Sequence, residues 1–310
     1  MSDNLSLGPG REFDVIRELL DTWGPRAVGI GDDAAVLSVA RGDALIASVD
    51  AVVEGRHFRP GWLTPRQLGY RAVAAALSDI AAMAARPVGV LTAIAAPPDW
   101  RDQLREIAAG IGEAVDFART HVVGGNLTAA NELSITTTVL GSAFDPLTRS
   151  GARAGDHVYV TGRLGGVAAA LHALDAGAPV EAFCHRFVRP IPRLAEARWL
   201  ADRGATAAID VSDGLVADMR HLATASGASV ELEGRDVPCF PGVPLTLALQ
   251  SGEEYELLVT GPETLDVEDF ERRFGLPLTR IGRVVSGVAG AIDLRGVAVA
   301  NIAGHDHFSV

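Results

Sequence analysis

The chain has 310 residues, 48% hydrophobic and 21% charged, enough to bury a substantial core and to divide into two domains of about 150 residues each. Asp and Glu (39) outnumber Lys and Arg (27) for a net charge of -12, and no basic stripe interrupts that excess, so nucleic acid is excluded as a partner. Every basic residue is Arg, which also excludes a P-loop lysine and Schiff-base chemistry and leaves phosphate handling to Arg, backbone N–H groups or metal.

The first element in chain order is REFDVIRELLDTW (11–23), where Phe13, Ile16, Leu20 and Trp23 recur at helical spacing. The glycine-bracketed loop GIGDD (29–33) then leads to ALIASVD (44–50), whose length and composition suit a buried strand. From Pro65, RQLGYRAVAAALSDIAAMAA has no Gly or Pro between Gly69 and Pro87 and predicts a long helix. VGVLTAIAA (88–96) predicts a strand, WRDQLREIAAGIGEAVDFART (100–120) an amphipathic helix, and VVGG (122–125) and LSITTTVLG (133–141) two more strands. The turn-rich stretch SAFDPLTRSGARAGDH, near residues 142–156, separates two series of hydrophobic elements, so domains of 1–145 and 146–310 are expected. The second half opens with strand HVYVTG (157–162), helices GGVAAALHALDAG and IPRLAEARWLADRG, and strand TAAID (206–210). A helix starting near Ser212 follows, then strands SVELE (229–233), YELLVTG (255–261) and RIGRVV (280–285). This alternation predicts an α/β or α+β architecture. Cys184 and Cys239 lie too far apart for a zinc knuckle or a redox pair and read as buried or idle thiols. No apolar run reaches the ~18 residues that span a bilayer, and MSDNLSLGPG has no signal pattern, so a cytoplasmic protein without membrane partners is expected.

Acidic residues recur at element ends. GIGDD can aim carboxylate oxygens at a hard cation such as Mg²⁺, although Gly-Asp is also ordinary turn chemistry. SVD (48–50) ends a strand on Asp50, and LSD (77–79) puts Asp79 inside an Ala-rich helix, where its propensity is poor unless Arg71 or Arg86 pairs with it. AIDVSDGL (208–215) ends another strand on Asp210. There, N-capping alone accounts for Ser212 and Asp213 but not for Asp210. VVGGN (122–126) offers glycines where backbone can approach a phosphate or simply make a turn, Arg149 is either a phosphate-neutralising or a solvated linker arginine, and SGEEYELL (251–258) is an acidic or a plain turn.

Taken in order, GIGDD, SVDAVVEGRHF, ALSDIAAMAARP, VVGGN, RSGARAGD, AIDVSDGL, SGEEYELL and GHDHF resemble the motif series of thiamine-monophosphate kinases, in the superfamily of aminoimidazole ribonucleotide synthetase. The resemblance spans residues ~11–308 and implies a homodimer of two-domain α/β (α+β) subunits. It implies an N-terminal domain that binds ATP and Mg²⁺ and forms the dimer, and a C-terminal domain that completes the active site. The reaction implied is direct transfer of the ATP γ-phosphoryl group onto thiamine monophosphate. Carried onto this chain, Asp33, Ser48, Val49 through its backbone, Asp50, Asp79, Asn126, Asp210 and Asp213 form the metal set. Gly125, Asn126, Arg149 and Ser212 contact ATP, and His57, Glu253 and Phe308 contact the thiamine substrate. No catalytic side chain beyond metal assistance is implied.

The chain departs from the family at Asn126, where Gly-Gly-Asp is usual, and in SGEEYEL, which keeps Glu253 and exchanges one acid for another at Glu254. Asn supplies a neutral oxygen in place of a carboxylate. Two rival readings follow. A sister enzyme of the superfamily is disfavoured by the absence of an N-terminal reactive Cys with a nearby Lys, of a Cys-bearing tail, and of a Glu after the double glycine. A non-catalytic ATP- or thiamine-phosphate-binding paralogue rests on the missing acid at Asn126.

Overall fold

A computed structural model describes residues 11–30, 34–177 and 184–297. Asp33 and Phe308 therefore lie outside the described residues, as do the last three residues of GIGDD and the whole GHDHF motif. The chain forms two compact units. One comprises the chain up to Ile80 together with Ala85–Asp145, and the other comprises Ala81–Ala84 and the chain from Pro146 onward. The short Ala81–Ala84 stretch joins the second unit because Ala82 and Ala84 pack into its hydrophobic cluster and Met83 O accepts from Leu147 N at 3.2 Å.

In chain order the first unit contains α1 (Arg11–Trp23), β1 (Ala44–Val53), α2 (Pro65–Ala82), β2 (Arg86–Ala96), α3 (Leu104–Ala118), β3 (Val122–Ala129) and β4 (Ser134–Ala143). Its sheet runs β1-β4-β2-β3, antiparallel except for the parallel pair β2–β3. Alternation sorts the faces: Ile135, Thr137 and Val139 of β4 are buried, while Leu45 and Val49 of β1 are 59% and 63% exposed. The small-residue run of α2 has a consequence beyond propensity. A Cβ at Gly69 would strike Ile107 O, and one at Gly110 would strike Arg66 O and come within 2.8 Å of Tyr70 N, so α2 and α3 cross backbone to backbone. Trp23 Nε1 donates to Ala108 O at 2.8 Å and ties α1 to the same helix.

The second unit contains β5 (His157–Thr161), α4 (Gly166–Asp175), α5 (Cys184–Val188), α6 (Leu194–Ala201), β6 (Ala207–Asp210), α7 (Leu215–Ala225), β7 (Ser229–Glu233), α8 (Leu245–Gln250), β8 (Leu257–Gly261), α9 (Val267–Phe274), β9 (Leu278–Val285) and β10 (Ile292–Arg295). Its sheet runs β10-β7-β9-β5-β8-β6, with β10–β7 parallel and the other pairs antiparallel. Both faces are covered. Val158 and Val160 of β5 face a core with Leu215, Met219 and Leu222 of α7, and Tyr159 between them faces Trp199 of α6 and Phe270 of α9. Burial on two sides is why HVYVT and LLVTG read as unbroken apolar runs.

The expected α+β content holds, with three kinds of difference. Helices α5, α8 and α9 and strand β10 add to the elements read from sequence; α9 carried a legible start, since Asp266 Oδ1 accepts from Asp269 N at 2.8 Å, and a legible stop at Gly275 (φ 61°). The helix after Pro98 begins at Leu104, because Pro98–Trp100 forms a separate 3-10 turn. The helix expected near Ser212 begins at Leu215, behind Gly214 with φ 113°.

Candidate active site

In the first unit, Ser48 Oγ donates to Asp79 Oδ2 at 2.5 Å, which joins β1 to α2 and gives the helical aspartate a partner that its sequence context did not reveal. Asp50, two residues along β1 and on the same face as Ser48, is half-buried and accepts from Ala51 N at 2.7 Å. Val49 between them points to the opposite, exposed face. His57 follows the strand; its Nδ1 accepts from Val53 N at 3.1 Å, which puts the proton of the neutral ring on Nε2. Gly125 and Asn126 are exposed on edge strand β3. Sheet pairing itself demands glycine at 125, because a Cβ there would strike Thr92 O.

In the second unit Asp210, 3% exposed, ends β6, and Ser212 and Asp213 occupy the turn before α7. Neither side chain caps that helix. The capping is done by Asp218, one turn in, whose Oδ2 accepts from the backbone N–H groups of Ser212, Asp213 and Gly214 at 3.0, 3.1 and 3.1 Å. The capping explanation for Ser212 and Asp213 therefore fails, and both side chains are spared for other work. Burial, reinforced by the charges of Asp210 and Asp213, pushes the Asp218 carboxyl up to about 8 against the pull of its amide donors. Carboxylates so close together repel one another, and a bound cation would relieve that repulsion.

The turn after α8 is not the plain turn that sequence allowed. Glu253 and Tyr255 both take left-handed backbone angles, φ 55° and 52°, which side-chain-bearing residues adopt at a cost. Backbone hydrogen bonds zip this turn onto the preceding loop: Glu253 N to Ser212 O at 2.7 Å, Tyr255 N to Val211 O at 2.9 Å, and Val211 N to Glu256 O at 2.8 Å. The backbone at Glu253 is thereby fixed against Ser212. Arg149 is exposed, and its carbonyl accepts from Ser226 Oγ at 2.7 Å.

Of the residues singled out from sequence, Ser48 and Asp79 are bonded in one unit with Asp50 on the same strand face, and in the other Asp210, Ser212 and Asp213 lie on a loop bonded through its backbone to the turn that carries Glu253. All their side-chain donors are oxygens, the set a hard divalent cation such as Mg²⁺ takes, so the residues fit that ion in kind. Among the described residues, however, no group of three or more His, Cys, Asp or Glu side chains is preassembled to hold a metal. The coupling of Asp210, Asp213 and Asp218 does not contradict this, because the Asp218 oxygen is turned onto backbone amides. Sequence reading missed Asp218, although it interrupts the apolar stripe Leu215, Met219, Leu222 of a buried helix face. It also missed the buried partners of Glu254 and Glu256 described below.

Comparison with known proteins gives the same direction. The N-terminal domain of AIR synthase related proteins matches residues 31–143, and the C-terminal domain matches residues 153–295. A thiamine-monophosphate kinase of Methanopyrus kandleri is 37% identical over 288 residues, 89% of each chain. The solved thiamine-monophosphate kinase from Stenotrophomonas maltophilia K279a has a TM-score of 0.82 at 30% identity, covering 95% of this chain and 99% of that one. The AaThiL structure complexed with AMPPCP and TMP has a TM-score of 0.78 at 30% identity, covering 96% and 97%. With its sequence, both domains and its fold in agreement, the chain belongs to the thiamine-monophosphate kinase family of AIR synthase related proteins.

Proposed function

We propose that this protein transfers the γ-phosphoryl group of ATP onto thiamine monophosphate, giving thiamine diphosphate and ADP, with Mg²⁺ bound by Asp33, Ser48, the Val49 backbone, Asp50, Asp79, Asn126, Asp210 and Asp213. The observation that carries the reading is the loop 210–213. Its acids and serine are released from capping by Asp218 and are tied to Glu253 by backbone bonds. Bound Mg²⁺ supplies charge neutralisation for the phosphate oxygens, the main requirement of phosphoryl transfer. Gly125, Arg149 and Ser212 contribute a close backbone approach, a guanidinium and a hydroxyl donor to ATP. His57, through Nε2–H, and Glu253 and Phe308 orient the acceptor. The acceptor phosphate is already ionised, so no strong general base is required. The domains 1–145 and 146–310 divide this work, the first also carrying a dimer face. Exposed Leu45 and Val49 on β1 support a homodimer covering that face. No described helix is long and apolar enough to cross a membrane.

The test is chromatography of thiamine diphosphate and ADP after incubating purified protein with ATP, Mg²⁺ and thiamine monophosphate. Equimolar products are expected; binding of both ligands with neither product formed establishes the non-catalytic reading, which Asn126 favours. The same residue gives a second expectation. Asn126→Asp adds a carboxylate to the metal set and lowers the Mg²⁺ concentration for half-maximal activity by roughly threefold to tenfold. Superimposable Mg²⁺ titrations of the two forms would remove Asn126 from the ligands.

A further inference from the structure

Behind the turn that carries Glu253 lies a buried ionic cluster that the reaction does not touch. Glu256, 1% exposed, accepts from Arg193 Nε at 2.8 Å and Nη2 at 2.5 Å, from Arg186 Nη2 at 2.8 Å and from Thr161 Oγ1 at 2.7 Å. Glu254, 2% exposed, accepts through Oε1 from Gly165 N at 2.8 Å, Val167 N at 3.0 Å and Ser251 Oγ at 2.5 Å. Arg186 spans the two acids. The Nη2 group that bonds Glu256 also donates to the carbonyl of Glu254 at 2.8 Å and stands 3.5 Å from Glu254 Oε2. Its own placement is tight, since a Cβ on Gly166 would come within 2.9 Å of the Arg186 stem and 2.8 Å of the Phe240 ring.

The backbone of the turn explains why such a cluster is needed. Glu253 and Tyr255 take left-handed angles, and Glu254, Tyr255 and Glu256 are all buried while Glu253 stays half-exposed. Two strained side-chain-bearing residues persist only where the surroundings over-determine them. We propose that Arg186 is a positioning residue: by clasping the Glu254 carbonyl and the Glu256 carboxylate it holds the 253–256 turn, and through the turn's bonds to Val211 and Ser212 it sets Glu253 and the 210–213 loop at a fixed separation. The kinetic part of this claim rests on the kinase reading; the structural part does not.

The test uses Arg186→Met combined with Glu254→Gln. The amide keeps an oxygen for Gly165 and Val167 N–H while removing the charge that Arg186 faces, so no uncompensated ion is left buried. In hydrogen exchange on ligand-free protein, the amides of Val211, Glu253 and Tyr255 are expected to exchange at least about tenfold faster while α7 and β8 match wild type. KM for both ATP and thiamine monophosphate is expected to rise about tenfold, with Arg186→Lys alone falling between. Wild-type exchange at those three amides with wild-type KM values overturns the proposal, and so does acceleration spread evenly over the unit. If the double variant does not fold, Arg186→Lys decides by the same amides. If the wild type itself makes no thiamine diphosphate, the kinase reading fails and exchange alone judges the positioning role.

Discussion

Replacing Asp210 by Asn is expected to lower kcat for thiamine diphosphate formation by about a thousandfold, ~4 kcal/mol of transition-state stabilisation. The side chain sits 3% exposed at the end of β6, where Asn is nearly isosteric and adds no volume to the core. The ligand-free variant is expected to melt at or slightly above the wild-type temperature. The reason is electrostatic: Asp210 is one of the charges that push Asp218 upward, and removing it relieves repulsion within the loop. Its thermal shift on adding Mg²⁺ with ATP is expected to shrink, because stabilisation by a ligand follows its affinity. Steady-state kinetics and calorimetry check both halves. Turnover within about threefold of wild type would remove Asp210 from the metal set, whereas loss of turnover with a fallen melting temperature would make it a structural acid.

Much of the proposed site can be read from the sequence, for a physical reason. A hard cation takes oxygen donors, and an acid that ends a buried strand, as Asp210 does, is a visible candidate; Asp50 instead lies inside β1, which continues to Val53 beyond the end expected from sequence. What the sequence could not supply was the assignment of each acid to its partner. Ser212 and Asp213 look like helix caps because Ser and Asp usually are; that they are not depends on Asp218 reaching back across one helical turn. Glu254 and Glu256 look like a second pair of surface acids in SGEEYEL, yet their charges are matched by Arg186 and Arg193, some 60 to 70 residues earlier. A buried acid is recognisable only with its counterion, and sequence separation hides the counterion. The fold shows the same division. Strands buried on both faces and the amphipathic α1 announce themselves, while the six-residue α8 and four-residue β10 are too short to carry a period.

Gly110→Ala is expected to destabilise the protein by about 3 kcal/mol, the upper range for over-packing, and to lower the melting temperature of the first unit by roughly 10 °C. The sign is the informative part. On an exposed helix the same change stabilises by up to about 1 kcal/mol, because Ala loses less conformational freedom than Gly. Here the added methyl has nowhere to go. Its nearest neighbours are the carbonyl of Arg66 and the N–H of Tyr70, backbone groups of α2 that no rotamer change can move aside. The helices must separate, and α2 also carries Asp79, whose bond to Ser48 Oγ ties the helix to β1. Loss of packing at Gly110 is therefore expected to reach the proposed metal set: in the folded fraction, the Mg²⁺ concentration for half-maximal activity rises along with the fall in stability. Gly69→Ala, which strikes Ile107 O from the opposite helix, is expected to reproduce both effects. A Gly110→Ala protein that melts at or above the wild-type temperature would show that α2 and α3 do not approach as closely as this crossing requires.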